Sequence, residues 1–186
     1  DGVPVVAVSI QPPTGLLHAA VAGEGAWVLT EGQCMPFRIA PPPQPPRLVA
    51  SRWYRGHEEK ALIDRVAARL GAAPPPVLDV GFQPRAFDPS QRAYDAMLGL
   101  PHAPGESFAN EWDLAAPDLI VNEAGGAFTD LWGRRYTYNK RNTHISGGIL
   151  VSASMDLHAR ILAALAPELP APPAIDPADD LGHGIG

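Results

Sequence analysis

The chain has 186 residues, 46% apolar side chains and a formal net charge of −6. That is enough material for the core of one sizeable domain. The acidic balance excludes a nucleic-acid polymer as the natural partner, although an acidic protein can still bind phosphate when a metal ion screens the charge.

The first residues, Asp1-Gly2, read as a hairpin turn whose first strand is missing, so the chain is expected to be the C-terminal part of a longer protein. Val3 to Ile10 is a Val-rich run with the pattern of a buried strand. "QPPTG" turns it, and "LLHAAVAGEGAWVLTEG" reads as two short strands around Gly23 and Gly25. Cys34 is the only cysteine, which rules out an internal disulfide and a cysteine zinc cluster. It is expected as a small apolar core thiol, in keeping with a reducing, cytoplasmic setting. "APPPQPP" is a stiff connector and "RLVASRWY" a further strand.

"HEEKALIDRVAARLG" has helical spacing with Gly71 as its stop, and its His-Glu-Glu lacks the second His of a zinc helix. The strand "VLDVGF" follows. "DPSQRAYDAMLG" reads as a helix with Asp88 as N-cap and Pro89 in the first turn. After a loop, Pro117 places the next helix at 113–124, because a start at Asn110 would put the ring in the helix interior at a cost of about 3 kcal/mol. Asp113 is then the N-cap, with Trp112 a buried anchor and Gly125 or Gly126 the left-handed stop. "AFTDLW", a turn at Gly133, "GGILVSAS" and a last helix "MDLHARILAALAPEL" complete the pattern. Asp130 reads as a turn residue, and Trp132, Tyr136 and Tyr138 as sheet packing. His18, His102, His144, His158 and His183 show no metal-ligand spacing. No apolar stretch reaches the roughly 18 residues of a membrane span, and no signal peptide is visible. Residues 170–186 carry little to bury and are expected to form a disordered tail. The alternation implies an α/β class with layered packing.

On spacing alone Asp113 is either a simple N-cap or a carboxylate held at a helix mouth for a hard cation. The surrounding pattern bears on that choice. Trp112-Asp113, the small pair Ala115-Ala116, the run Leu119-Ile120-Val121 and Ala124-Gly125-Gly126 resemble the inositol monophosphatase-like family of metal-dependent phosphatases, which also includes the bisphosphate nucleotidases. "VVAVSIQPPTGLLHAAVAGEGAW", "LVASR", "TDLWGRRYTYNK" and the Gly-Gly strand before the last helix are similar as well, so the likeness covers roughly residues 1–168. It implies the C-terminal half of an α/β/α sandwich of the inositol monophosphatase and fructose-bisphosphatase type over residues 1–169. It also implies Mg²⁺-assisted hydrolysis of a phosphate monoester by activated water, and a homodimer. The substrate would be an inositol phosphate, a sugar phosphate or a 3'-phosphoadenosine nucleotide.

In that family Asp113 would be one metal ligand. The water-activating residues and the other carboxylates would lie in a preceding half, so the chain alone is expected to be inactive or nearly so. Glu106, seven residues before Asp113, would contact substrate hydroxyls or be a solvated loop residue. Ser51 would border the cleft from a strand end or cap the next helix. Arg85, where the chain departs from the family pattern, would bind a second phosphate or a carboxylate, or pair with Asp88. A non-catalytic domain that binds phosphorylated metabolites, or a dimerisation domain, is the alternative to an enzyme.

Overall fold

The computed structural model describes residues 2–51, 57–78, 84–88, 92–100 and 109–172, with the side chains of Ser51, His57, Glu58 and Leu78 outside that description. Four strands, β1 (Val6–Gln11), β2 (Leu16–Val21), β3 (Gly25–Thr30) and β4 (Gln33–Phe37), form an antiparallel meander in chain order. A second sheet has the order β6-β5-β7-β11-β9, built from β5 (Leu48–Ser51), β6 (Val77–Leu78), β7 (Ala96–Gly99), β9 (Ala127–Thr129) and β11 (Ile149–Ser152). β5 runs parallel to both β6 and β7, and β11 is antiparallel to β7 and β9. A short ladder joins β8 (Ala109–Asn110) to β10 (His144–Ile145).

Alternation along the strands of the second sheet divides the apolar residues between two cores. Val49, Met97, Ile149 and Val151 face one way. They meet helix α2 (Glu111–Glu123) and, beyond it, the inner face of the meander at Leu16, Ala20 and Phe37. Leu48, Ala50, Leu98 and Leu150 face the other way, onto α1 (His57–Arg69) and α3 (Met155–Leu165). The layers therefore run meander, α2, second sheet, then the α1–α3 pair, which makes α2 a helix covered on two sides.

Several sequence expectations are corrected. β1 is not buried on both faces: Val6, Val8 and Ile10 are exposed, while Ala7, Ser9 and Gln11 point inward. The meander is an outer layer, so only one of its faces is covered in this chain. Cys34 is likewise exposed on β4, a strand the composition did not suggest. The expected helix over 88–99 is instead the buried strand β7, preceded by the 3-10 turn Pro84–Phe87. Asp88 does not cap a helix; its carboxylate lies 3.4 Å from His18 Nε2 on β2. Asp95 is taken by the Arg47 backbone amide (2.7 Å) and by Arg92 (2.7 Å), which pins the entry to β7 at the sheet. Tertiary partners thus override a local helical preference.

Gly148 shows why a glycine precedes β11. Its φ is +67°, and a Cβ there would lie 2.3 Å from the Gly99 carbonyl oxygen and 2.6 Å from Leu131 Cδ1. The β7–β11 pairing needs that close approach. The expected turn at Asp130 is observed: its carboxylate accepts from the Trp132 and Arg134 amides at 2.9 and 2.8 Å and from Arg134 Nε at 2.6 Å. Of the expected tail, 173–186 lies outside the described residues, and the Pro170 carbonyl accepts from Trp132 Nε1 at 3.1 Å.

Behind β9 and β11, the His158 ring is buried between two hydroxyls. Nε2 is 2.8 Å from Thr129 Oγ1 and Nδ1 is 2.9 Å from Ser152 Oγ. The Thr129 hydroxyl donates to the Asp130 carbonyl, so its oxygen is free to accept from Nε2–H. Burial pushes the ring from 6.5 down to about 4. Above pH 6.5 the ring is neutral in both folded and unfolded chains. Between 6.5 and about 4 the unfolded chain takes up a proton that the folded chain refuses, so stability falls as pH falls. The loss over that window is about 3 kcal/mol. Asp118 works in the opposite sense, because burial raises its folded value. The measurement is therefore a difference: urea midpoints between pH 7 and 4 should drop more steeply for the native chain than for His158→Gln, and equal slopes would refute the assignment.

Candidate active site

The site is built on the mouth of α2. Asn110 is the N-cap, with extended dihedrals of −110° and 160°, and the helix begins at Glu111, two residues before the expected start. Asp113 is therefore the third helical residue and not the cap. Its carboxylate accepts from the Asn110 amide at 3.0 Å, the reach-back half of a capping box. Pro117 does lie inside the helix and is buried. The missing N–H removes the donor for the Asp113 carbonyl. That cost is accepted because the helix is anchored at both ends by tertiary bonds.

At the first end, Glu111 is buried, and its carboxylate accepts from the Asn139 and Lys140 amides at 2.8 and 3.1 Å. Its own amide donates to the Thr143 carbonyl at 2.9 Å. Two turns on, Asp118 is fully buried and accepts from Tyr138 Oη (2.7 Å), Asn122 Nδ2 (2.6 Å) and Arg135 (3.0 Å). Burial pushes its carboxyl up, and Arg135, Tyr138 and Asn122 only partly oppose this. At the other end, Glu123 accepts from the Gly23 and Gly25 amides at 2.9 and 3.0 Å, and Gly125 takes the left-handed stop at φ +94°. The loop 138–143 and the β2–β3 turn thus hold α2 like two brackets.

What this leaves at the mouth is an exposed Asp113 carboxylate, fixed in direction by one amide. The expected buried Trp112 anchor is absent: that side chain is 68% exposed and points away from the core. Glu111, which sequence reasoning passed over, does the anchoring. Its position at the first helical turn was visible, but the amides of 139 and 140 that bury it were not.

Arg85 sits on the exposed side of the 3-10 turn and forms no ion pair or hydrogen bond among the described residues; Asp88, its expected partner, faces His18 instead. Ser51 ends β5 between two parallel neighbours, where strand ends border clefts, but its side chain is not described. Glu106 lies outside the described residues. The 3-10 turn that carries Arg85 packs against α2, the helix that carries Asp113.

Magnesium prefers near-octahedral oxygen ligands. Among the described residues no group of three or more His, Cys, Asp or Glu side chains could hold a metal ion. Asp113 has the right donor chemistry and accessibility for one ligand, but these residues do not by themselves fit the ion. No helix among the described residues is long and apolar enough to cross a membrane.

Comparison with known proteins agrees with the layered fold. The Zymomonas mobilis inositol monophosphatase superposes with a TM-score of 0.61 at 19% identity, covering 89% of this chain and 59% of that one. Staphylococcal IMPase-II gives 0.65 at 17% identity, over 90% of this chain and 61% of that one. In sequence, the Golgi-resident adenosine 3',5'-bisphosphate 3'-phosphatase of Bos taurus is 25% identical over 161 residues, 84% of this chain and 42% of its own length. The 3'(2'),5'-bisphosphate nucleotidase of Emericella nidulans is 29% identical over 157 residues, 81% of this chain and 44% of its own length. The chain spans less than half the length of these curated relatives. The family profile itself runs from residue 1 to 169, taking in both sheets, the three described helices and the Asp113 mouth, and the chain belongs to the inositol monophosphatase family.

Proposed function

We propose that this chain forms the Asp113-bearing part of a Mg²⁺-dependent phosphomonoesterase acting on small phosphorylated metabolites. The class includes inositol phosphates, sugar phosphates and 3'-phosphoadenosine nucleotides. The observation that carries the proposal is the exposed carboxylate of Asp113 at the α2 mouth, aimed by the Asn110 amide, in a chain of this family. Bound magnesium would polarise the ester and lower the pKa of water. Asp113 would hold one edge of that ion. The positive end of the α2 dipole beside it favours the negative charge that any phosphate brings. The remaining ligands would come from a segment outside residues 1–186, which agrees with the lack of a ligand cluster among the described residues.

That same lack favours a second possibility, a domain that binds phosphorylated metabolites without hydrolysing them. Phosphate release separates the two. The 186-residue chain should show no turnover above background on a panel of phosphate esters with Mg²⁺. A longer product of the same reading frame should show Mg²⁺-dependent turnover. Rapid hydrolysis by the 186 residues alone would show that no further ligands are needed. Silence from both forms, with ester binding intact, would establish the binding domain.

A further inference from the structure

Three contacts from different parts of the chain meet at residues 109–113. The β8–β10 ladder sets Ala109 opposite Ile145 and Asn110 opposite His144, and the Glu111 amide continues the register by donating to the Thr143 carbonyl at 2.9 Å. The Asn110 amide donates to the Asp113 carboxylate at 3.0 Å, and among the described residues it is the one hydrogen-bond donor to that group. Asn110 therefore sets the direction of Asp113, and the segment 143–145 sets the place of Asn110.

That segment is itself held by Glu111. The two oxygens of this buried carboxylate divide between successive amides: Oε2 accepts from Asn139 at 2.8 Å and Oε1 from Lys140 at 3.1 Å. Asn139 has φ +64°, a left-handed conformation that a non-glycine residue adopts at a cost and that aims successive amides at one anion. Glu111 thus grips both ends of the 139–143 loop, one end through its carboxylate and the other through its amide. Release of the carboxylate frees the loop, and with it the strand that locates Asn110. Glu123 makes a comparable grip on the Gly23 and Gly25 amides, about 18 Å along the helix from Glu111. Both grips fasten α2 to the fold, but only the one at Glu111 acts on the residue that aims Asp113.

Resting on the proposed phosphatase activity, we propose that Glu111 is a positioning residue for Asp113. It is buried and acts through Asn110. Its grip on the 139–143 loop keeps Asn110 in the ladder, and Asn110 holds the Asp113 carboxylate in the direction that the reaction uses. Two acceptor oxygens are required for this. Glutamine at 111 retains one and turns its NH2 group toward the other amide, donor against donor.

Amide hydrogen exchange, followed by NMR on the metal-free 186-residue chain, tests the grip without any turnover. Glu111→Gln should speed exchange at Asn110, and at Asn139 or Lys140, about 10-fold, the effect of one lost buried hydrogen bond. Glu123→Gln should speed exchange at Gly23 or Gly25 and leave Asn110 unchanged. Equal exchange at Asn110 in the native and Glu111→Gln chains, or equal acceleration there by both variants, would overturn the positioning role. If Glu111→Gln does not fold, the native chain in low urea decides the matter: Asn110, Asn139 and Lys140 should open together as one unit, separately from Gly23 and Gly25. Opening of Asn110 independently of the two loop amides would refute the proposal. In a longer product that hydrolyses a phosphate ester, Glu111→Gln should lower kcat about 10-fold with KM changed less than about twofold. Glu123→Gln should lower the melting temperature to a similar extent and leave both constants unchanged. A native kcat in Glu111→Gln would also sink the assignment. If no longer product hydrolyses any ester, the phosphatase reading fails, and the exchange data still decide whether Glu111 aims Asp113.

Discussion

Asp113→Asn should lower phosphate release by at least about 100-fold in a product long enough to be active, while the fold melts almost as before. A hundredfold loss corresponds to about 2.7 kcal/mol of transition-state stabilisation, which is in reach of removing one anionic ligand from a divalent ion. Stability changes little for a local reason. The Asn110 amide donates to Asp113 at 3.0 Å, and an asparagine oxygen accepts that bond equally well. What is lost is a charge at the positive end of α2, worth about 0.3–1 kcal/mol. Trp112 is exposed, so no core contact depends on the carboxylate. Paired phosphate-release assays and thermal melts give the answer. A variant that melts early yet turns over normally would reduce Asp113 to a capping residue and remove the local anchor of the proposed activity.

The second large effect is on stability alone. Asp118→Ala should destabilise by about 2–3 kcal/mol, whereas Asp118→Asn should be nearly neutral. Asp118 is fully buried, and the alanine would leave the buried Tyr138 hydroxyl without its 2.7 Å acceptor. An unsatisfied buried group of that kind costs about 1–3 kcal/mol, and the small cavity adds to it. The usual larger penalty for breaking a buried ion pair does not apply, because the Arg135 side chain is 53% exposed and can turn to water. Asparagine keeps an acceptor for Tyr138 and removes a charge whose burial is unfavourable, as the raised carboxyl shows. Urea unfolding of the two variants distinguishes the hydrogen bond from the charge. If both lose stability equally, charge pairing with Arg135 and not the Tyr138 bond holds the loop 135–138 to α2.

Elements with a strong local signature were legible in the sequence. The spacing in 57–71, with its glycine stop, identified α1, and the glycines between Val21 and Ala26 identified the β2–β3 hairpin. Ala124-Gly125-Gly126 marked the end of α2, because a left-handed residue there favours glycine whatever surrounds it. The family was reached by the resemblance of Trp112-Asp113 and Ala124-Gly125-Gly126 to its pattern, and the α/β class followed from alternation. These are properties of short segments, decided by steric and hydrogen-bonding rules that act over a few residues.

Other features depended on partners far along the chain. Ala96–Gly99 became a strand because Arg47, Arg92 and β11 claim it, although its composition suits a helix equally well. The start of α2 moved to Glu111 because the amides of Asn139 and Lys140 satisfy a buried carboxylate there, which outweighs the local penalty of Pro117. His18 met Asp88 across 70 residues, a pairing that could not be read from spacing. The sequence by itself determined the class, the glycine stops of α1 and α2 and the acid at position 113. Only the tertiary structure decided which polar groups are buried and paired, because the free energy of a buried charge or hydroxyl depends on the donor that arrives from another segment.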